Sequence, residues 1–448
     1  MKEIVDLLNQ IGDYYCLVSE EEIHIVGTLH REKTSIVLQA QMELDHYRKL
    51  NGLYDELHFW GTINGTAVTL MSVHISRASS TYGVDTVSIT LDPNEIIIGR
   101  CYKEEPHVTN ICSSITALNY MFSQRPLEVT YVFSKDKPYL LKYTYPEKIE
   151  ADDKYGHLVL FQTFSQGWTQ HEIKHSVVPV IEYQFSKAIC LMEAVRRIAA
   201  VRNLFSFFAN GYLPLENIKF ADEKSQRIDA QFLCDIALFL NHPEDITSRD
   251  EPFVIMTSDF KDSFSRLWQR WLEVYEGAVP IPALFYAVIC NRSTRVNRFL
   301  NLSQALEVYS DQYRKSEAEQ LAKKYDNPKP GKRFDVRLKY KIEDIFCFFN
   351  DCFEIAEKDI PTIAQGIANM RNYYTHYNTG RYVEPTYQEL FSAIHALHFV
   401  LLAIMYKTIG IDSKTITNTR NRSEFQLFSE RVDNLLKYSS KKPNGTTA

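Results

Sequence analysis

The sequence has 448 residues and a mass of 52.1 kDa, enough for two or three domains with substantial hydrophobic cores. Its hydrophobic share of 45%, charged share of 24% and net charge of -6 are typical of a soluble globular protein and argue against nonspecific coating of nucleic acid. No Cys-x-x-Cys pair occurs, and the N-terminus lacks a signal-peptide core. We therefore expect a cytoplasmic protein with reduced thiols and no membrane span.

The first part of the chain is predicted to be β-rich. Asn64-Gly65 tolerates positive φ at both central positions of a turn and predicts a hairpin. The predicted strands are short runs rich in β-branched and aromatic residues: 23–29, 34–39, 57–63, 67–75, 86–91, 127–133 and 158–164. Strands at this spacing favour a sandwich or a barrel.

The rest of the chain is predicted to be mainly helical. A long helix is expected at 185–208 with Gly211 ending it, followed by a mixed segment up to about residue 258. Further helices are predicted at 260–276, 281–292, 296–325, 335–357, 361–378, 385–408 and 423–437. The fold class is therefore α+β, with a β-rich domain at 1–183, a mixed, mainly helical connection at 184–278 and an all-α bundle at 279–448.

Several motifs could suggest other sites, but their contexts disfavour them. His171-Glu172-Ile173-Lys174-His175 matches the zinc-protease pattern His-Glu-x-x-His, which needs a helix. Pro179 and the apolar residues around it predict a strand there instead. Arg100 and His107 flank Pro106 in a predicted loop, Cys347 and Cys352 are predicted core thiols, and His395 and His398 are predicted buried histidines. No metal or other cofactor is predicted.

The stretch Arg371-Asn372-Tyr373-Tyr374-Thr375-His376 lies near the end of a predicted helix that begins at Pro361. Arginine can stabilise charge that develops on phosphorus, and histidine can move a proton near neutral pH. Arg371, Asn372 and His376 are expected on the helix face turned away from the core, together with the small residues Ala368 and Thr375. The expected apolar stripe is Ile363, Ile367, Met370, Tyr374 and Tyr377. The alternative is a solvated polar face.

The window 314–341 holds ten basic and four acidic residues. Such a window could draw in an RNA backbone, and we expect Lys329, Lys332, Arg333 and Arg337 to contact it. A solvated helix pair would show the same composition.

These residues together resemble a known family. The Arg371-Asn-x-x-x-His376 motif, near the end of a helix in a C-terminal all-α domain, is similar to the motif of HEPN ribonucleases. The stretch from Asn297 to Tyr309 resembles the opening helix of an ApeA-type HEPN domain. Gly27-Thr-Leu29 and the run from Gly61 to Leu70 resemble the β-rich N-terminal domain of ApeA-type anti-phage effectors.

The resemblance implies a metal-independent endoribonuclease of abortive-infection defence. It implies a composite site in a homodimer or higher even oligomer, where His376 exchanges a proton, Arg371 binds the scissile phosphate and Asn372 positions either group. Glu307 would be the acidic residue that orients Arg371 or His376. The implied products carry 2′,3′-cyclic phosphate and 5′-hydroxyl ends, the substrate being tRNA or mRNA, and a phage-derived trigger could act on the N-terminal domain. The alternatives are a non-catalytic HEPN domain that binds RNA or protein, and a metalloprotease using His171 and His175.

Overall fold

The computed structural model describes most of the chain in two compact units. The described residues are 2–32, 35–51, 53, 57–80, 83–122, 127–131, 139–144, 148–168, 173–233, 254–278, 280–289, 294–326, 336–377, 381–420 and 425–441. The first unit comprises residues 1–119, 124–202 and 213–245, and the second comprises 120–123, 203–212 and 246–448.

The first unit contains a six-stranded barrel. Its strands are β1 (Ile11–Val18), β2 (Glu21–Glu32), β3 (Ser35–Glu43), β4 (Leu57–Ile63), β5 (Thr66–Ser80) and β6 (Thr86–Ile98). They pair in the order β6-β3-β2-β1-β4-β5, and β5 pairs again with β6 to close the barrel. The predicted hairpin at Asn64-Gly65 is confirmed, with φ of 47° and 75° at the two residues. Alternating side chains such as Tyr14, Phe59 and Leu70 fill the interior.

Strand β6 also belongs to a second antiparallel sheet. Its other strands are β7 (His107–Ser114), β10 (Ile149–Asp152), β11 (Gly156–Trp168), β12 (Ile173–Cys190), β13 (Glu216–Asp222) and β14 (Ser225–Leu233). The order is β10-β11-β12-β7-β13-β14-β6, and β8 (Leu127–Tyr131) pairs separately with β9 (Tyr139–Tyr143). The mixed segment after residue 210 therefore contributes two strands to this sheet. The unit also contains two short helices, α1 (Lys2–Leu7) and α2 (Leu44–Leu50).

The long helix α3 (Leu191–Ala209) begins later than predicted. Residues 185–190 belong to β12 instead, because this strand pairs with β11 through Phe185 and, after a bulge, with β7 through Cys190. The helix ends at Ala209, and Asn210 takes the left-handed conformation with φ of 45°. Sheet pairing has overridden the local helical pattern of residues 185–190.

The second unit is a helical bundle. Its helices are α4 (Thr257–Phe260), α5 (Phe264–Gly277), α6 (Pro280–Ile289), α7 (Arg295–Tyr313), α8 (Lys315–Tyr325), α9 (Leu338–Phe348), α10 (Asn350–Phe353), α11 (Ile360–His376), α12 (Tyr387–Ile409), α13 (Ser413–Arg420) and α14 (Phe428–Ser439). The predicted helix 296–325 breaks at Arg314, where φ is -137°. The predicted helix 335–357 ends early, because Glu354 adopts a left-handed conformation. The α+β prediction, with a β-rich N-terminal region and a helical C-terminal region, is confirmed.

Helix α12 forms the centre of this bundle. A capping box between Thr386 and Glu389 begins it, and Gly410, with φ of 101°, ends it. By length and composition α12 could cross a membrane, as could the bent pair Thr257–Gly277 and Pro280–Ile289 taken as one span. However, 89% of the apolar window of α12 is buried inside the protein, which is typical of a core helix.

Helix α11 approaches α14 closely at Gly366. A Cβ atom built on Gly366 would lie 1.8 Å from Oγ of Ser439, whereas a Cβ on Gly277, the last residue of α5, meets nothing within 4 Å. Alanine favours a helix over glycine by about 1 kcal/mol, but overpacking costs about 1–3 kcal/mol. We expect Gly366→Ala to lower the melting temperature and the matched Gly277→Ala to leave it unchanged or raise it. Equal effects in a thermal melt would contradict this packing.

Candidate functional site

The candidate site lies on α11, whose core-facing residues differ partly from the prediction. Ile363, Ile367 and Met370 are buried as expected, but Tyr373 is buried in place of Tyr377. Tyr377 is 68% exposed because the helix ends at His376 and Tyr377 turns into the left-handed conformation, with φ of 47°. Ala368, expected on the outer face, is buried as well.

The three motif residues lie along the last turn and a half of α11. Arg371 and Asn372 are half-buried, and His376 is exposed at the last helical residue. The Asn372 amide Nδ2 donates to the Tyr382 hydroxyl at 3.4 Å, and the Thr375 hydroxyl donates to the Arg371 carbonyl at 2.8 Å. The guanidinium and the imidazole are therefore both open to a ligand that approaches the end of this helix.

Glu307 on α7 contacts the motif arginine. Its Oε2 lies 3.9 Å from Nη2 of Arg371, and its Oε1 accepts from Nζ of Lys341 at 3.3 Å. Lys341 is buried on α9, and its Nζ also donates to the Asp311 carboxylate at 2.7 Å. Two carboxylates therefore neutralise one buried ammonium, and one of them also contacts Arg371. This long contact leaves most donors of Arg371 available for a phosphate.

Lys341 should matter for Arg371 although the two side chains are not paired directly. Without the ammonium, Glu307 and Asp311 would present two unneutralised carboxylates beside Arg371. The resemblance given above implies that Arg371 binds a phosphate of RNA, and on that expectation Lys341→Met should raise KM for RNA roughly fivefold to tenfold, the size of a screened charge interaction at a protein surface. Lys341→Arg should retain most of the wild-type KM. A rise in KM that is equal for both variants would contradict this role, provided that thermal melts show both proteins folded.

Only some of the cations in the basic window 314–341 lie at the protein surface. Arg314 donates to both carboxylate oxygens of Asp344, at 2.5 and 2.9 Å, and its Cζ lies 3.7 Å from the Phe348 ring centroid. Arg314 is thus paired with Asp344, and Lys341 with Glu307 and Asp311, so both cations are engaged within the helical unit. Arg337 is exposed and lies 3.4 Å from Asp326, and Lys329, Lys332 and Arg333 lie outside the described residues.

The other sequence candidates fall into structural roles where they are described. Arg100 donates to Asp222 at 2.6 Å, and Asp222 accepts from Tyr102 at the same distance, so Arg100 belongs to a partly buried cluster of the β unit. His175 lies in β12, and this strand excludes the helical spacing of the zinc pattern over residues 173–175. His171 lies outside the described residues, within which no group of three metal-ligating side chains occurs.

The predicted buried thiols and histidines are confirmed only in part. Cys352 and His398 are buried, but Cys347 is exposed and His395 is half-buried. Burial raises the pKa of the Cys352 thiol to about 11, as does the nearby Asp351 carboxylate. Such a thiol is protonated and unreactive at neutral pH.

Sequence reasoning missed two partners of the motif. Tyr382, which accepts from Asn372, and Lys341, which holds Glu307, have no spacing that links them to the motif helix. In the sequence, Lys341 is one of the ten basic residues of the window 314–341. The helical period of α9 could have shown that Lys341 shares a face with Ile345, which is buried.

Two family models match the chain. The model described as ApeA N-terminal domain 1 covers residues 11–271, and the model described as Apea-like HEPN covers residues 300–415. The chain belongs to the ApeA family of HEPN proteins. No curated protein and no solved structure matches it significantly.

The family assignment extends what the sequence motifs suggested. The ApeA N-terminal match continues through residues 184–258 and includes β13 and β14. The HEPN match spans α8 to α12 completely and most of α7, so it contains Glu307, Lys341, Arg371 and His376. HEPN domains are generally ribonucleases, commonly bind RNA and often dimerise, which supports a nuclease or RNA-related role in defence.

Proposed function

We propose that this ApeA-family protein is a metal-independent endoribonuclease whose reaction is carried by Arg371 and His376. The observation that supports this most is their placement on one exposed helix end, with Arg371 steadied by Glu307 at 3.9 Å. An exposed imidazole can reach a substrate hydroxyl, and a partly free guanidinium can donate to two phosphate oxygens. Residues of both kinds suffice for RNA cleavage through the neighbouring 2′-hydroxyl.

The proposed reaction is an in-line displacement at phosphorus. The 2′-oxygen attacks the phosphorus and loses its proton to a histidine, while the bond to the 5′-oxygen breaks and that oxygen gains a proton. His376 serves in these proton transfers, and Arg371 stabilises the additional negative charge of the phosphorane-like state. Asn372, fixed by Tyr382, positions the phosphate or the imidazole. The products carry a 2′,3′-cyclic phosphate and a 5′-hydroxyl.

The active form is proposed to be a homodimer or a higher even oligomer. One helix end offers one arginine and one imidazole, whereas the reaction needs an acid and a base on opposite sides of phosphorus. A two-fold axis supplies the second set from the same surface. Because Ala368 is buried within the chain, the proposed contact surface is the exposed end of α11, which carries Arg371, Thr375 and His376.

RNA capture is assigned to the remaining part of the basic window. We expect replacement of Lys329, Lys332 and Arg333 by glutamine to weaken binding of all RNA sequences and to flatten its salt dependence, because fewer counterions are released. Replacement of the exposed Arg48, Lys103 and Arg196 by glutamine, which removes the same charge outside the window, is the control and should bind RNA as the parent does. Unchanged affinity at low salt would make the window a solvated surface.

The biological role proposed is abortive infection in the cytoplasm. Cleavage of tRNA or mRNA would stop growth of the infected cell, so the activity has to be held off until a phage-derived trigger appears. We assign the sensing of this trigger to the β-rich N-terminal domain, since the nuclease chemistry occupies the helical domain.

A cleavage assay in EDTA tests the proposed function against its alternatives. We expect RNA cleavage that persists in EDTA and is lost in His376→Ala. Tight RNA binding without cleavage by the wild type would favour a non-catalytic HEPN domain. Proteolysis that EDTA abolishes would favour the His171 and His175 metalloprotease.

A further inference from the structure

A row of three rings lies on one face of α12. Tyr387, Phe391 and His395 occupy successive turns of this helix. The Tyr387 and Phe391 rings are nearly parallel, with 9° between their planes and 6.4 Å between centroids, and the His395 ring lies 4.3 Å from Phe391. Tyr387 is 59% exposed, although a tyrosine side chain is largely apolar. The row therefore ends in a ring with open surface.

Arginines from two other helices cover this row. The Cζ of Arg295, at the start of α7, lies 4.5 Å from the Tyr387 centroid, and the Cζ of Arg431 on α14 lies 5.0 Å from that of Phe391. Arg431 also lies 3.6 Å from its neighbour Glu430. We call Arg295, Tyr387, Phe391, His395 and Arg431 the arginine–aromatic platform.

The electrostatics of the platform favour an anionic ligand. Burial lowers the pKa of His395, and the positive charges of Arg431 and Arg298 lower it further. Arg295, Arg298 and Arg431 thus place positive charges near the ring row, against the carboxylate of Glu430 beside Arg431. A positive field over flat rings occurs here in a chain whose net charge is -6.

The platform lies at the same end of the helical unit as the catalytic motif. Phe299, one turn after Arg295 on α7, contacts Tyr374 on α11 with ring centroids 6.2 Å apart. Tyr374 precedes His376 by two residues, and Asn372 contacts Tyr382, five residues before Tyr387. These contacts connect both sides of the platform to the last turn of α11, so one extended ligand could occupy the motif and the platform together.

We propose that the arginine–aromatic platform binds unpaired bases of single-stranded RNA next to the phosphate that Arg371 and His376 act on. This inference rests on the proposed function and adds a base-binding surface to it. A base can stack on the exposed part of the Tyr387 ring while Arg295 contacts the adjoining phosphate. Stacking accepts every base, but a duplex hides the faces of its bases. The platform therefore selects single-stranded or loop RNA over duplex RNA with little sequence preference.

Binding should be measured in the full-length His376→Ala protein, which removes cleavage from the comparison. The probe is a fluorescent single-stranded RNA of mixed sequence, with a perfect duplex of the same sequence alongside. Tyr387→Ala should weaken single-strand binding about 5- to 50-fold, in line with the usual loss of one stacking contact. Tyr387→Phe should bind as the parent does. Tyr120→Ala, which removes a tyrosine that is 48% exposed elsewhere, should also bind as the parent does.

A second readout reports stacking itself. An RNA that carries 2-aminopurine should lose fluorescence on binding, and Tyr387→Ala should restore it, whereas loss of a purely electrostatic contact would not. If Tyr387→Ala binds single-stranded RNA as well as the parent, or if its affinities for duplex and for single strand fall equally, the platform is not a base-stacking site.

If Tyr387 is dispensable for binding while the wild-type protein cleaves RNA, the proposed function stands and this inference fails. If wild type neither binds nor cleaves RNA, both fail. A Tyr387→Ala protein that changes only its oligomeric state would make the platform a contact between chains and overturn the inference.

Discussion

His376→Ala, Arg371→Ala and the double variant should all fall to a similar residual activity, about a thousandfold below wild type. The expected loss of about a thousandfold in rate follows from the usual contributions of general acid–base catalysis and of charge stabilisation at a reacting centre. Groups that act in one step are strongly non-additive, because loss of either leaves the other without its task. His376 is exposed and Arg371 is half-buried, so both single variants should fold normally. Initial rates on one RNA substrate provide the comparison.

Two controls make this result interpretable. Thr362→Ala replaces an exposed residue at the other end of α11 and should keep full activity. Arg371→Lys keeps the charge but loses the planar fork, so it should recover only part of the activity. Losses that multiply in the double variant would mean that Arg371 and His376 act in separate steps.

Catalytically inactive chains should inhibit wild-type chains if each site is shared by two protomers. With an excess of the Arg371→Ala/His376→Ala protein, most wild-type chains would be in mixed dimers that lack one set of groups. We expect activity per wild-type chain to fall by at least tenfold, given that each lost group contributes about 100-fold or more. Dilution of wild type below its dimer affinity should have the same effect.

The proposed contact surface can be tested by introducing charge. Thr375→Arg places a cation on the exposed end of α11 next to Arg371, where two copies of the helix would repel each other, whereas Thr362→Arg places it at the other end. The first should dissociate the dimer and the second should not, as read by sedimentation. A monomer with full activity per chain would contradict the shared site.

Local patterns in the sequence were sufficient for much of the architecture. Asn64-Gly65 predicts its hairpin because the turn depends on two adjacent residues, and Leu57–Ile63 matches β4 residue for residue. The helix predicted at 185–208 begins six residues later in the structure, because β12 gains pairing from strands distant in the chain. Strands β13 and β14 were missed for the same reason, since their place in the sheet depends on β7 and β6.

The candidate site shows the same division between local and distant information. The order Arg371, Asn372 and His376 and their helix could be read directly, because helical spacing fixes their relative directions. The end of the helix could not be predicted from spacing. Tyr377 lies outside the apolar stripe because it follows the last helical residue with a positive φ. The ion pairs of Lys341 with Glu307 and Asp311 join α9 to α7 across 34 and 30 residues. No periodicity within one helix contains such a contact.

The most direct test of the proposed reaction is the chemistry of RNA ends in phage-infected cells that express the protein. Wild type should generate new fragments with 2′,3′-cyclic phosphate and 5′-hydroxyl ends, and His376→Ala at equal expression should not. These ends follow from attack by the 2′-oxygen with the Arg371 and His376 groups in place. Fragments with 5′-phosphate ends, or cyclic-phosphate ends that persist in His376→Ala, would contradict the proposed reaction.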